Sequence, residues 1–225
     1  MLYLALAMSG FLGLTHFFGE ELDEHFSGNS LLLASFSAGF TVSYFFLAML
    51  PEMSSASKIV SFEFFFALMG FSLLYVIEEF VYERESNLSQ VRKGFKEVHT
   101  LFISSYHFVI GFLLYFLILE NTYQALLFYI PVLMHSAVNS VAIKEMHEEM
   151  LDILSVKLLA SFSAVLGVML SYFVTPSSQT AYSIFGLVGG MFLYVVVHDA
   201  LDPKRERPLG FITGSAAFIL LLSLL

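Results

Sequence analysis

Apolar runs of about twenty residues, each closed by a short polar or charged stretch, repeat eight times along the chain. A helix that crosses a bilayer needs roughly that length of mostly apolar residues. The pattern predicts eight spanning helices, near 1-18, 31-50, 62-80, 99-119, 124-143, 156-174, 180-199 and 208-225. Pro51, Pro176 and Pro208 fall at or near span ends, where a missing N–H does least harm. Pro131 falls inside the fifth span and should kink or loosen it. The hydrophilic stretch "ERESNLSQVRKGFKEVH" (83 to 99) reads as a solvated linker or short surface helix within a loop over 81-98. Lys144 to Leu154, with Met146, Met150 and Ile153 to one side, reads as a second surface helix.

Composition agrees with the pattern. In 225 residues, 58% are hydrophobic and 13% charged, and the mean hydropathy is +0.81, well outside the soluble range. The chain is therefore expected to be an all-α integral membrane protein, one polytopic domain over 1-225, with the lipid bilayer as its first partner. "MLYLALAMSGFLGLTHFF" lacks a basic leading region and a small-residue cleavage site, so it reads as a retained first span.

Charge sets the orientation. Loops after the odd spans hold Arg84, Arg92, Lys93, Lys96, Lys144, Lys157, Lys204, Arg205 and Arg207, and loops after the even spans hold only Lys58. By the positive-inside rule the odd loops, 81-98 among them, are cytoplasmic and both termini lie outside, with the plasma (cell inner) membrane the expected location. The same inner side carries most of the acids behind the net charge of -9, including "EELDEH" (20 to 25) and "HEEMLD" (147 to 152). An acidic rim excludes nucleic acid as a partner and draws cations, though solvated loop charge alone would look the same.

With no cysteine there is no thiolate site, and divalent-metal chemistry is expected to rest on His, Asn, Asp, Glu and water. His107 lies eight residues above His99 in the fourth span, and His135 nine above Lys144 in the fifth. At a rise of about 1.5 Å per residue the two imidazoles reach nearly equal depth, roughly 12-14 Å in. A loop over 120-123 makes the two helices neighbours. Asn139 is one turn from His135 on the same face. Two imidazoles with an amide or water suit Zn²⁺ and similar divalent ions. Interhelical bonding among His107, His135, Asn139 and the serines nearby is the structural alternative.

The closing stretch "FGLVGGMFLYVVVHDALDP" (185 to 203) and "LGFITGSAAFILLLSLL" resembles the last helices of the ZIP family of divalent metal-ion transporters. "SFSAGFTVSYFFLAMLPEM" (35 to 53), "ALMGFSLLYVIEEF" and "LLASFSAVLGVMLSYFV" (158 to 174) resemble its second, third and sixth helices. The resemblance implies a ZIP-like fold, with helices 1-3 and 6-8 as an inverted repeat around helices 4-5, and transport of a divalent ion, Zn²⁺ first, toward the cytoplasm. It also departs from the family. On a fourth-helix pattern like His-Asn-x-Pro-Glu/Asp-Gly only Gly111 is kept, with Tyr106, His107, Val109 and Ile110 at the other places. On a fifth-helix pattern like His-x-x-Pro-Glu/His, His135 is kept while Val138 and Asn139 stand for the rest. Both intramembrane acids are missing, and His107, His135 and Asn139 are the expected metal ligands.

A transport-inactive, ZIP-like metal sensor or binding partner is the alternative that the missing acids favour. No enzymatic activity and no covalently bound cofactor are expected, the ion being cargo, and a homodimer is compatible with the reading. His16, His25, His147 and His198, each beside carboxylates, are candidate inner-face contacts for an emerging ion. A multi-span zinc hydrolase, or haem or quinone held by His107 and His135, are further chemistries the histidines allow.

Overall fold

The computed structural model describes residues 1–18, 30–56, 63–84, 88–144, 154–200 and 207–224. Within these it describes the side chains of 1–15, 17–18, 31–56, 64–77, 79–80, 104–137, 158–159, 161–197 and 207–224. The described residues form eight helices and no strand. They are α1 (Leu2–Phe17), α2 (Ser30–Tyr44, continued through Phe45–Met49 and Leu50–Ala56), α3 (Glu63–Arg84), α4 (Leu88–Glu120), α5 (Thr122–Lys144), α6 (Leu154–Val174), α7 (Ser178–Ala200) and α8 (Pro208–Leu224). Two stretches, Leu31–Ala56 and Ser178–Val197, are by length and composition able to cross a membrane.

Local sequence accounts for the helix ends and irregularities. Phe45–Met49 is a π-turn in which the Leu50 N–H reaches the Phe45 carbonyl. Pro51 follows at once, and its ring and missing N–H disfavour the ordinary bond to Leu47, so the widened turn absorbs the misfit without ending the helix. Pro131, by contrast, leaves α5 continuous from Thr122 to Lys144. Between α4 and α5 only Asn121 is non-helical. Its side chain accepts from the Tyr123 N–H at 2.9 Å and its carbonyl from the Ala125 N–H at 3.0 Å, an Asn cap that turns the chain within one residue. The stretch read as a solvated linker or short surface helix is largely helical and continuous with the fourth helix, since α4 already begins at Leu88; Gln90, Arg92, Lys93, Lys96 and Glu97 are good helix formers with one Gly among them. Most of the second expected surface helix, 145–153, lies outside the described residues.

Glycines sit where the helices pair most closely. A Cβ on Gly39 of α2 would run into the Phe211 carbonyl of α8, and one on Gly214 of α8 into the Phe36 carbonyl of α2. Gly70 of α3 meets the Leu187 carbonyl of α7, and Gly190 of α7 the Ala67 carbonyl of α3. Gly111 of α4 meets the Ala164 carbonyl of α6, and Gly167 of α6 the Phe108 carbonyl of α4. Each pair thus has a glycine on both sides, which lets the two backbones touch, as small residues do in closely packed helix pairs. Gly13 brings α1 onto Ser161 of α6 in the same way.

Helices α2 and α8 run parallel. Ser35 with Arg207, Gly39 with Phe211 and Tyr44 with Phe218 advance together along α2 and α8. The first of these contacts is a cap from another helix, because Ser35 Oγ accepts the Arg207 N–H at 2.7 Å just before Pro208 opens α8. Helix α5 sits among four others. It reaches α1 through the Tyr129 hydroxyl, which donates to the Met8 carbonyl at 2.8 Å. It reaches α2 through Gln124 and Glu52, α4 through Ser136 and His107, and α7 through Phe128 and Phe185.

One connection is strained. Thr175, between α6 and α7, has φ 43° and immediately precedes Pro176. A β-branched residue in the left-handed region costs about 1–2 kcal/mol, and a following proline also favours extended backbone. Thr175→Gly should therefore raise the thermal unfolding midpoint, by the equivalent of about 1 kcal/mol. An unchanged or lowered midpoint would refute that account.

Candidate metal centre

The α4–α5 hairpin brings the two central histidines to one level. His107 is 4% exposed and His135 8%. His107 Nε2 lies 3.1 Å from Ser136 Oγ, on the residue that follows His135. Which of the two donates depends on the ring tautomer, and the partner of one ring nitrogen sets the role of the other. His135 turns its ring against Phe192 of α7, centroids 6.1 Å apart, and Phe192 in turn meets Tyr44 of α2 at 5.9 Å. Tyr106 packs edge-on beside His107 at 5.6 Å. The level is therefore lined from α2, α4, α5 and α7, with the two imidazoles supplied by the one hairpin.

Polar groups continue the level in one direction. Ser104, one turn before His107, is buried, and so is Thr41, one turn before Tyr44 on α2; neither hydroxyl has a hydrogen-bond partner among the described residues. Buried hydroxyls usually find partners, so these two mark an interior with unused polar capacity. Asn139 is on α5 one turn beyond His135, toward the same end as Ser104. Its side chain lies outside the described residues, as do those of His16 and His198 and the whole of His25 and His147.

Toward the other end, three helices converge on one carboxylate. Gln124 Nε2 of α5 donates to Glu52 Oε2 of α2 at 2.8 Å, and the Tyr182 hydroxyl of α7 hydrogen-bonds the same side chain. Sequence reasoning missed this group, because residues 52, 124 and 182 are distant in the chain. Its only local signal was an acid directly after the proline that ends an apolar run.

Among the described residues no group of three or more His, Asp or Glu side chains forms a ready-made metal cage. The donors at the histidine level are two imidazoles and hydroxyls, neutral ligands that can replace part of an ion's water shell without holding it strongly. Comparison with known proteins finds no family model that matches this chain and no curated protein that matches it.

Proposed function

We propose that the protein is a ZIP-like membrane transporter that carries divalent transition-metal ions, Zn²⁺ foremost, toward the cytoplasm past His107, His135 and Asn139. The observation that carries the reading is the burial of two imidazoles at one level of a tight antiparallel hairpin, with His107 oriented by Ser136. Burying a polar ring costs free energy unless it is hydrogen-bonded, as His107 is to Ser136, and ionisable groups inside a membrane bundle usually mark a substrate path.

The polarity of the bundle supports the membrane part of the proposal. Phe11, Phe65, Leu68, Phe162, Leu166 and Ile212 face outward, while Ser9, Thr41, Ser136 and Ser171 lie inside. Such an arrangement suits lipid outside and polar cargo within. All eight helices are then spans, with both termini outside, as the lysine and arginine count requires.

Packing also supports the inverted repeat. Exchanging helices 1–3 for helices 6–8 carries the α2–α8 glycine crossing onto α7–α3 and returns α1–α6 to itself. Inverted repeats around a central site are a recurring transporter plan. The resemblance of helices 2, 3, 6, 7 and 8 to the ZIP family points the same way.

In this mechanism an ion sheds part of its water shell to the neutral imidazoles of His107 and His135. Because no carboxylate stands at Ile110 or Asn139, the hold is weak and release toward the acidic cytoplasmic side is easy. The same missing acids favour a second reading, a ZIP-like sensor or binding partner without transport. Purified protein in liposomes loaded with a Zn²⁺-sensitive dye distinguishes the two. Uptake of Zn²⁺, Mn²⁺ or Fe²⁺ above that of empty liposomes is the expected outcome, and folded protein inert toward all three ions would favour the sensor.

A further inference from the structure

Near the Glu52 cluster, α2 turns two thioethers onto one glycine of α7. Met49 and Met53 are four residues apart and so share a helix face, and each is only 1% exposed. The point where a Cβ on Gly189 would stand is 3.0 Å from Met53 Sδ, 3.1 Å from Met49 Cε and 3.7 Å from Met49 Sδ. Both sulfurs therefore border a single spot on α7 that lacks a side chain of its own.

Two leucines could pack here about as well, since leucine and methionine exchange at nearly constant volume. What methionine adds is a soft, neutral, adaptable donor. Thioethers select Cu(I) among biological metals, whereas Zn²⁺ sites draw on imidazole, thiolate and carboxylate. Charge favours the same class. Taking an ion out of water costs far more for a dication than for a monocation, and two neutral sulfurs do little to offset a double charge. Glu52, next to Met53 in the chain, is held by Gln124 and Tyr182, and in its ionised form it would balance one positive charge.

We propose that Met49 and Met53, over Gly189, form a binding site for a soft monovalent cation, with Cu⁺ the biological ligand and Ag⁺ its redox-inert counterpart. Binding there depends on the two sulfurs and the glycine, and it requires neither the histidine level nor transport.

The test is a titration of the purified full-length protein with Ag⁺ in chloride-free buffer, following ¹³C-methyl signals of its ten methionines. Met49→Leu and Met53→Leu assign the two relevant signals. Both should shift together with the first equivalent of Ag⁺. The Met49→Leu/Met53→Leu double variant should keep its unfolding midpoint and lose more than about tenfold in affinity for that equivalent. Gly189→Ala, which keeps both sulfurs but sets a methyl 3.0 Å from Met53 Sδ and 3.1 Å from Met49 Cε so that both side chains must shift, should also weaken binding. Ag⁺ affinity unchanged in the double variant, or other methionines shifting first, would overturn the proposal. Zn²⁺ uptake reads the histidine level and the Ag⁺ titration reads the thioethers, so failure of one leaves the other interpretable.

Discussion

Gly111→Val and Gly190→Val should each leave little or no correctly folded protein, whereas Gly10→Ala should fold at least as well as the parent. The contrast follows from what a new side chain would meet. At Gly111 the obstacle is the Ala164 backbone carbonyl, and at Gly190 the Ala67 carbonyl. Neither is the movable end of a flexible side chain, so relief requires the two helices to separate. Separation would open the contact along its whole length, because Gly167 and Gly70 sit in the same crossings from the opposite helix. Overpacking a dense interior costs about 1–3 kcal/mol when side chains can yield, and more when backbone must move. Losses above about 4 kcal/mol are therefore expected, a large part of a typical domain's total stability. At Gly10 nothing lies within 4 Å of a built Cβ, and alanine in a helix gains up to about 1 kcal/mol over glycine. Unfolding midpoints and the yield of monodisperse protein measure all three. A Gly190→Val variant as stable as the parent would mean that α3 and α7 do not touch as described.

His107→Ala and His135→Ala should lower initial Zn²⁺ uptake more than about 100-fold, and Ser136→Ala by about 10–100-fold. The order is the informative part. If the rings are ligands, each alanine removes a donor, while Ser136→Ala removes only the group that orients His107. If they serve packing alone, uptake should fall only as far as folded protein does. Neutral imidazoles are also the least costly ionisable groups to bury, so both alanine variants should remain folded. Uptake per folded molecule separates the cases. A fully active His107→Ala variant would remove the proposed path, whereas a His135→Ala variant that unfolds would point to its contact with Phe192.

The common level of the two histidines could be read from the chain alone, and the reason is local. His107 and His135 flank one tight turn, so their common level follows from a fixed rise per residue and a short connection. The bond from His107 to Ser136, rather than to some residue a turn away, fits that arithmetic. The helical start of α4 at Leu88 was harder to see, because charged surface sequence is compatible with both helix and linker. The convergence of Glu52, Gln124 and Tyr182 was invisible for a different cause: each helix must first choose a neighbour and a rotation about its own axis, and neither choice is encoded by periodicity.

The amino-acid sequence by itself indicated an all-helical chain of eight main helices and the shared level of the two histidines. These depend on chain length, apolar runs and helix rise, all local quantities. Only the tertiary structure decided that α2 meets α8, α3 meets α7 and α4 meets α6, and that Met49 and Met53 face Gly189. A glycine permits close approach but does not name its partner, and the partner is chosen by the packing of all the helices together.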